Sequence, residues 1–271
     1  MDVNDADDAN FVALKRTWTI ARDILRLLVK LPEAHLTDGD LKKLHIICTD
    51  LDLTTGKPAD GSEIFIRPFP IARIHEKLER TKPWLRCPLD DEKETMPLAA
   101  ALEILNCLNW SLSWDGNGEA IPLIMETPWK SRGMQYFEGE RLCRHILGGP
   151  DWKVQTVLDK MDGTTPHISC LLADDAPFKG DQLSNAEIWC IIAITNRRLR
   201  LPEYHNHRII PVTVISAADR QLRIVQGYVD GEHDCIRVRK SPMLDFERYD
   251  PQKMELVLSW CVGDPVGHTQ R

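Results

Sequence analysis

The last third of the chain, residues 184–269, constrains the fold most, because its helix and strand signals follow one another closely. Ser184 and Glu187 form a capping-box pattern, which predicts the start of a helix. The inward face and the last turn of that helix carry two distinct sets of residues: Ile188, Ile191, Ile192 and Leu199 at helical spacing, and Arg197, Arg198 and Arg200 at the end. Apolar periodicity and terminal cations together predict an amphipathic helix that ends near residue 200.

Strand signals follow this helix. Runs rich in β-branched residues predict strands at 209–216, 221–228 and 235–239. Asp230-Gly231 supplies a hairpin turn, and Asp250-Pro251 starts a final helix. Helices beside strands predict the α/β (or α+β) class, with a mixed β-sheet, flanking helices and a single main core.

The first two-thirds of the chain give weaker signals. Residues 1–10 are predicted to be a disordered acidic leader, and 11–271 a single α/β domain with peripheral hairpin and loop additions. Phe11 to Leu28 carries an apolar stripe typical of a helix, and 44–49 and 62–69 are predicted as strands.

Two hairpins are predicted between these elements and the last third. Alternating apolar residues at 108–114 and 121–125 flank the turn residues 115–118, which predicts a first hairpin. Asp162-Gly163 marks the turn of a second one. The strand after the turn of the first hairpin, at 121–125, leads to Glu126, which is therefore expected at a strand end.

Composition favours a cytosolic location. No run approaches the ~20 apolar residues of a membrane helix, and the acidic N-terminus is unlike a secretory signal. The eight cysteines are widely spread without a C-x-x-C, as expected for reduced core cysteines. We therefore expect a cytoplasmic protein that is not bound to membranes.

A strand that ends in two aspartates is the first candidate for chemistry. Asp50 and Asp52 follow Ile46-Ile47-Cys48-Thr49, a pattern similar to the first motif of haloacid-dehalogenase-type phosphohydrolases. The remaining motifs of that class are not found. A nuclease would need an acid followed by an acid-x-Lys triplet, for which Asp91-Glu92-Lys93 and Glu126 with Lys130 are poor matches. A Mg²⁺-dependent phosphohydrolase or nuclease using Asp50 and Asp52 remains an alternative.

Neither a metal site nor a cofactor is predicted. The histidines and cysteine that might converge on a metal are His205, His207, His233 and Cys235. Histidines beside arginines in a loop are more often surface groups. The phosphate-binding, hydrolase and metalloprotease motifs are also missing from the sequence.

Charge is distributed unevenly. Residues 195–240 hold nine Lys and Arg against five acids, a net of +4, whereas the whole chain carries −7. Such asymmetry is expected of an anion-binding face on an acidic protein. Arg237 and Arg239 are predicted on one strand face, near Arg223 of the neighbouring strand. A non-enzymatic module that binds nucleic acid or a partner protein through this face is a second alternative.

The last third also resembles a family. Residues 208–212, 223–226 and 241–246, followed by Trp260 and Gly263-Asp264-Pro265, are similar to filamentous-fungal proteins that include the arginine-containing cyclodipeptide synthases. These enzymes take two aminoacyl groups from charged tRNAs and close them into a diketopiperazine. The resemblance implies a transferase of secondary metabolism whose partner is aminoacyl-tRNA. The bacterial cyclodipeptide synthases are not similar, so their catalytic residues are not carried over.

That reaction suggests roles for the residues already named. It needs a base, an oxyanion donor and an anion-binding face for the tRNA. An arginyl substrate also needs a carboxylate, for which Glu126 is the first candidate and Asp50 and Asp52 are the second. The residues expected to contact tRNA are Arg197, Arg198, Arg200, Arg223, Arg237 and Arg239.

Overall fold

The structure, a computed structural model, describes residues 3–31, 33–81, 96–118, 120–132, 143–144 and 151–270. The helices in these ranges are α1 (Val3–Leu28), α2 (Asp38–Lys43), α3 (Ile71–Thr81), α4 (Pro97–Ser113), α5 (Asn185–Leu199) and α6 (Pro251–Cys261). The strands are β1 (Ile46–Asp50), β2 (Ile66–Arg67), β3 (Trp129–Arg132), β4 (Cys143–Arg144), β5 (Trp152–Lys160), β6 (Ile168–Asp174), β7 (Val212–Ala218), β8 (Gln221–Asp230), β9 (Cys235–Lys240), β10 (Leu244–Asp245) and β11 (Asp264–Pro265).

Nine of the strands in the described ranges form one mixed sheet. Its main order is β1-β9-β8-β7-β6-β5-β3, with β10 paired to β8 and β4 paired to β5. The pairs β1–β9 and β6–β7 are parallel and the others are antiparallel. Because β6 and β7 are parallel neighbours, the chain between them must cross the sheet, and α5 makes that crossing.

Helices cover both faces of the sheet. The α5 face is packed by α1 and α5, where Ile188, Ile191 and Ile192 are fully buried. The α4 face is packed by α3, α4 and α6. The predicted class is therefore confirmed: a mixed sheet with flanking helices and one main core.

Several local predictions are also confirmed. The Ser184 hydroxyl accepts from the Glu187 amide, and the Glu187 carboxylate accepts from the Ser184 amide, so the capping box is present. The antiparallel pairs β5–β6 and β8–β9 flank the predicted turns at 162–163 and 230–231. Asp250 caps α6 through the amides of Gln252 and Lys253.

The first predicted hairpin is wrong. Helix α4 continues through Ser113, and Leu123–Glu126 forms a 3₁₀ turn, so no strand leads to Glu126. The apolar residues of α4 that are buried against the sheet recur at helical spacing: Ala101, Ile104, Leu105, Leu108 and Leu112. Burial of this stripe outweighs the short alternation that suggested a strand.

The early strands are shorter or more exposed than predicted. Only Ile66–Arg67 of residues 62–69 is a strand. β1 lies at the end of the sheet, with Ile47 45% exposed, so it is an edge strand and not a buried one. The amide of Ala59 bonds to the Asp50 carbonyl at 2.9 Å, which covers part of that edge.

Two further expectations concern the N-terminus and the cysteines. The domain boundary at residue 11 stays a prediction, although α1 begins at Val3, within the stretch predicted as a disordered leader.

Cys107 is disulfide-bonded, which corrects the expectation that the cysteines are all reduced. The free cysteines among the described residues are Cys48, Cys170, Cys190, Cys235 and Cys261. In the same residues no helix is long and apolar enough to cross a membrane.

A glycine at the end of α6 provides a test of this packing. A Cβ on Gly263 would lie 2.7 Å from the Arg67 carbonyl oxygen and 3.0 Å from that of Ser259. Backbone oxygens move less readily than side-chain tips, so we expect Gly263→Ala to lower the free energy of unfolding by roughly 1–3 kcal/mol. Chemical denaturation measures this change.

Gly39→Ala is the matched control. Its Cβ would meet only Thr37 Oγ1, at 3.6 Å, and Gly39 lies in helix α2, where alanine is the better helix former. We expect no loss of stability. Equal losses in the two variants would show that the backbone contacts at Gly263 are not tight.

Candidate functional site

Three of the six arginines predicted to contact tRNA are buried. Arg198, Arg223 and Arg239 are each at most 2% exposed. Arg198 pairs with Asp159 and donates to the Tyr204 hydroxyl. Asp159 also accepts from Arg132 Nε at 3.2 Å. Arg198 therefore ties α5 to β5 inside the protein.

Arg223 forms the most complete buried ion pair. Its Nε and Nη2 donate to the two Glu187 carboxylate oxygens at 2.7 Å each, and the side chains are 1% and 0% exposed. Nη2 also donates to the Gln182 carbonyl at 2.7 Å. The Glu187 carboxylate also closes the capping box of α5. Its pairing with Arg223 therefore connects the start of α5 to strand β8, and the bond from Arg223 to Gln182 connects both to the loop before α5.

Arg239 and Arg237 lie on the other face of the sheet. Arg239 donates to Gln226 Oε1 at 2.9 Å and Ser62 Oγ at 3.0 Å, and its guanidinium lies 4.6 Å from the Phe65 ring centre. Burial lowers the pKa of Arg239. Arg237 donates to Asp230 at 2.8 Å.

The predicted basic face is therefore not formed as expected. The residue opposite Arg239 on β8 is Gln226, so Arg223 points to the α5 face while Arg239 points to the α4 face. Arg197 and Arg200 end α5, where Arg200 is exposed and Arg197 is partly buried.

The predicted carboxylates are not brought together either. Glu126 ends a 3₁₀ turn and accepts from Lys77, whose side chain is 8% exposed. Asp52 accepts from the Thr55 amide at 2.7 Å and the Thr54 amide at 3.0 Å, and these bonds lower the pKa of Asp52. Asp50 is exposed at the end of β1.

Other sequence candidates are not supported as sites. Asp91-Glu92-Lys93 lies outside the described residues. In the ranges that are described, no group of three His, Cys, Asp or Glu side chains is placed to hold a metal ion. His207, predicted at the surface, is instead 7% exposed.

A polar pocket of about 550 Å³ surrounds two buried histidines, and we call it the histidine pocket. Its lining comes from three separate segments, at 164–167, 203–207 and 265–270. Thr269 and His207 form its central contact: Thr269 Oγ1 lies 2.7 Å from His207 Nδ1.

The protonation of His207 follows from its partners. Nε2 lies 2.9 Å from the Thr164 carbonyl oxygen, which accepts only, so Nε2 carries the proton. Burial lowers the pKa of His207, which favours the neutral ring. Nδ1 then accepts from the Thr269 hydroxyl. A hydroxyl, a neutral imidazole and a group that orients the imidazole form the arrangement of an activated nucleophile.

His167 is a second neutral imidazole in the same pocket. Its Nε2 donates to the Val266 carbonyl at 2.8 Å, and burial lowers its pKa to about 4. Nδ1 is buried with no hydrogen-bond partner among the described residues. With both histidines neutral, Glu203 is the charged residue among the described residues that line the pocket. The pocket thus favours a cationic ligand.

Sequence reasoning did not find this pocket. His207 and Thr269 are 62 residues apart, and His167 and Val266 are 99 apart. These contacts form only because the segment after α6 lies beside residues 164–167 and 203–207. No pattern within a single segment of the sequence predicts them.

Another pocket, of about 470 Å³, is mainly apolar. It lies between α4, β3 and β5, and Leu112, Trp129 and Leu158 contribute to its wall. Two of its polar groups already bond to each other, since Asn109 donates to Thr156 Oγ1 at 2.9 Å. The described residues that line it include no histidine or carboxylate, so the histidine pocket is the better candidate for chemistry.

The burial of Arg223 predicts a large stability effect. Arg223→Met would leave the Glu187 charge buried and unpaired, at a cost of roughly 3–5 kcal/mol. Arg237→Met would break a pair that is more accessible to solvent, so we expect a smaller loss. Urea unfolding of both variants measures the difference. Equal losses would contradict the structural role assigned to Arg223.

The neutral state of His167 predicts sensitivity to acid. Its pKa is about 4 in the folded protein and 6.5 ordinarily, so between these values the unfolded chain binds the extra proton. The contribution of His167 to the free energy of unfolding is therefore fully present above about pH 6.5 and is lost towards pH 4, by roughly 3 kcal/mol. In urea unfolding at several pH values, His167→Asn should lose less stability over this range than the wild type.

The pKa of Asp174 is shifted upwards, so its effect on stability depends on pH in the opposite direction, and this residue serves as the control. Burial raises its pKa to about 7, so the folded protein keeps a proton that the unfolded chain releases above about pH 4. Its contribution is lost as the pH rises towards 7. Asp174→Asn should remove that loss and leave the His167 effect in place. An unchanged acid slope in His167→Asn would rule out a buried neutral imidazole.

Comparison with known proteins adds no assignment. No family model, no curated protein and no solved structure matches this chain. The choice among the candidate functions therefore depends on the geometry of the histidine pocket and on the resemblance within the last third.

Proposed function

We propose that the chain is a tRNA-dependent cyclodipeptide synthase that works at the histidine pocket by acyl transfer through Thr269. The observation that carries this proposal is the 2.7 Å contact between Thr269 Oγ1 and the neutral, oriented His207. The resemblance supports it, because the segments at 203–207 and 265–270 belong to the last third of the chain.

The steps balance as ordinary acyl transfer. Thr269 Oγ1 attacks the ester carbonyl of an aminoacyl-tRNA, His207 Nδ1 takes the hydroxyl proton, and the ester C–O bond breaks. The proton goes to the departing tRNA hydroxyl. The α-amine of a second aminoacyl-tRNA then attacks the threonyl ester, the ester C–O bond breaks, and the amine proton returns to Thr269 Oγ1 through His207. In the resulting dipeptidyl-tRNA the free α-amine attacks the ester to the second tRNA, which closes the diketopiperazine, and the amine proton goes to the departing tRNA hydroxyl.

Charge in the pocket suits an arginyl group. Glu203 can accept two hydrogen bonds from a guanidinium, and the neutral histidines do not repel it. The same proposal includes aminoacyl-tRNA as the partner. Arg197 and Arg200 stand at the end of α5, a few residues before Glu203 of the pocket. Cations there would contact the phosphates of the tRNA acceptor end. Such an enzyme would use aminoacyl-tRNA in the cytoplasm.

The alternatives lack a supporting observation of this kind. Asp52 accepts hydrogen bonds from the amides of its own turn, and Asp50 is exposed at the end of β1. The non-enzymatic module was inferred from a basic face, and three of its six arginines are buried. Neither accounts for a hydroxyl paired with a histidine in a polar pocket.

The test is product formation in a host that expresses the chain, measured by mass spectrometry. We expect Thr269→Ala and His207→Ala to lower arginine-containing diketopiperazine by at least about a hundred-fold. Thr269→Ser keeps a hydroxyl and should retain product. Glu203→Gln should lower it about ten-fold, through loss of one charge-assisted contact.

Thr165→Ala is the matched control, because that hydroxyl also belongs to the pocket but donates to Asp162 at 2.8 Å. It should leave product unchanged. Loss of product in Glu126→Gln but not in Thr269→Ala would place the chemistry at Glu126. A Mg²⁺-dependent phosphatase activity removed by Asp50→Asn would establish the alternative enzyme.

A further inference from the structure

The mainly apolar pocket between α4, β3 and β5 also has polar groups in its lining, and we call it the α4 pocket. Its volume of about 470 Å³ lies within the usual range of small-molecule sites. Leu112, Trp129 and Leu158 contribute its apolar wall, and Asn109 of α4 and Thr156 of β5 are polar members of the lining. The described residues that line it include none of those that line the histidine pocket.

Asn109 and Thr156 bond to each other and leave one hydrogen-bonding group each. Asn109 Nδ2 donates to Thr156 Oγ1 at 2.9 Å. Among the described residues, Asn109 Oδ1 has no donor and the Thr156 hydroxyl proton has no acceptor. Thr156 is only 8% exposed, so bulk water is a poor substitute for a partner there. The Asn109–Thr156 pair therefore offers a ligand one acceptor and one donor side by side.

The charge in the lining belongs to Lys130, whose side chain leaves the sheet on the other face. Lys130 lies directly opposite Asp159 in the β3–β5 pairing, and directly opposite residues share a face. Asp159 pairs with Arg198 of α5, whereas Leu158 packs in the core on the α4 face. The Lys130 ammonium donates to the Met161 carbonyl at 3.4 Å. A neutral ligand therefore suits the interior of the pocket better than a charged one.

Two exposed methionines adjoin the apolar wall. Met125 is 66% exposed and Met161 is 51% exposed, and both line the pocket. Methionine side chains are flexible, and their sulfur atoms make favourable contacts with aromatic rings. The pocket therefore suits a ligand with a flat aromatic body that these side chains can cover.

We propose that the α4 pocket binds a small neutral amide with an aromatic body. The amide N–H donates to Asn109 Oδ1, the amide carbonyl accepts from the Thr156 hydroxyl, and the ring packs on Trp129 and Leu158. An amide satisfies both unused groups of the Asn109–Thr156 pair, whereas a carboxylate or an ester has no N–H for Asn109. This site goes beyond the function proposed for the histidine pocket and does not depend on it.

An NMR titration with three probes of similar shape tests the proposal: phenylacetamide, phenylacetate and methyl phenylacetate. We expect phenylacetamide to bind with a millimolar or lower dissociation constant, as roughly ten non-hydrogen atoms allow. The other two leave Asn109 Oδ1 unpaired, and phenylacetate also brings a charge into apolar surroundings, so each should bind at least about ten-fold more weakly. The proposal is overturned if phenylacetamide shows no saturable binding, or if either of the other two binds as tightly as the amide.

Variants of the Asn109–Thr156 pair locate the site. Asn109→Leu and Thr156→Val keep nearly the same side-chain shape and remove the acceptor and the donor, respectively. Each should weaken phenylacetamide binding by about ten-fold. Asn106→Leu is the matched control, because Asn106 also lies on α4 and accepts from Gln155 of β5, but it does not line the pocket. Its affinity for phenylacetamide should equal that of the wild type.

Thermal melting shows which variants are folded, and one folded variant of the pair is enough for the test. If phenylacetamide binds but the folded variants of Asn109 and Thr156 do not weaken it, the ligand lies elsewhere and the proposal fails. Diketopiperazine formation is measured separately with the Thr269 and His207 variants. Failure at the α4 pocket is therefore distinguishable from failure at the histidine pocket.

Discussion

The ion pair between Arg223 and Glu187 is the interaction on which the centre of the protein depends. Two guanidinium nitrogens meet two carboxylate oxygens with almost no solvent access, and a third partner, the Gln182 carbonyl, completes the contact. Removing two charges from water is costly, and only such complete pairing offsets the cost. Since Glu187 also caps α5, the pair fixes where the crossover helix begins relative to β8.

The α4 face of the sheet has its own polar connection, built without a carboxylate. Arg239 donates to Gln226, and Gln226 donates to Thr213 Oγ1 at 3.2 Å. Phe65 lies over the guanidinium and also makes edge contacts with Tyr228 and His167. The buried Arg239 side chain, with neutral acceptors and an aromatic ring around it, thus links β7, β8 and β9 to Phe65. Phe65 in turn contacts His167 of the histidine pocket.

Buried ion pairs explain why the net positive charge of residues 195–240 does not produce a basic face. Composition records that residues 195–240 are basic, but it does not record that Arg198 and Arg223 each have an acidic partner on a distant element. Asp159 and Glu187 lie outside the counted window. A net charge computed over a segment is informative about a surface only when its side chains reach that surface.

The parts of the fold that could be predicted are those set by neighbouring residues. The Ser184–Glu187 capping box, the turn at Asp230-Gly231 and the isoleucines of α5 are local signals, and each gave the correct element. Leu108 and Leu112 fit both a strand and a helix over so short a run, and packing against β6 and β7 decided in favour of the helix. His207 and Thr269 could not be paired in advance, because tertiary contact alone relates them.

The origin of the histidine pocket has a consequence for biosynthesis. Residues 265–270 emerge from the ribosome after all the strands of the main sheet, and they supply Thr269 and the carbonyl that holds His167. The sheet and its two helical layers can therefore assemble before the pocket exists. A chain clipped after α6 would lack both Thr269 and the carbonyl that holds His167, so the acyl transfer proposed for this pocket would have to wait until residues 265–270 are translated.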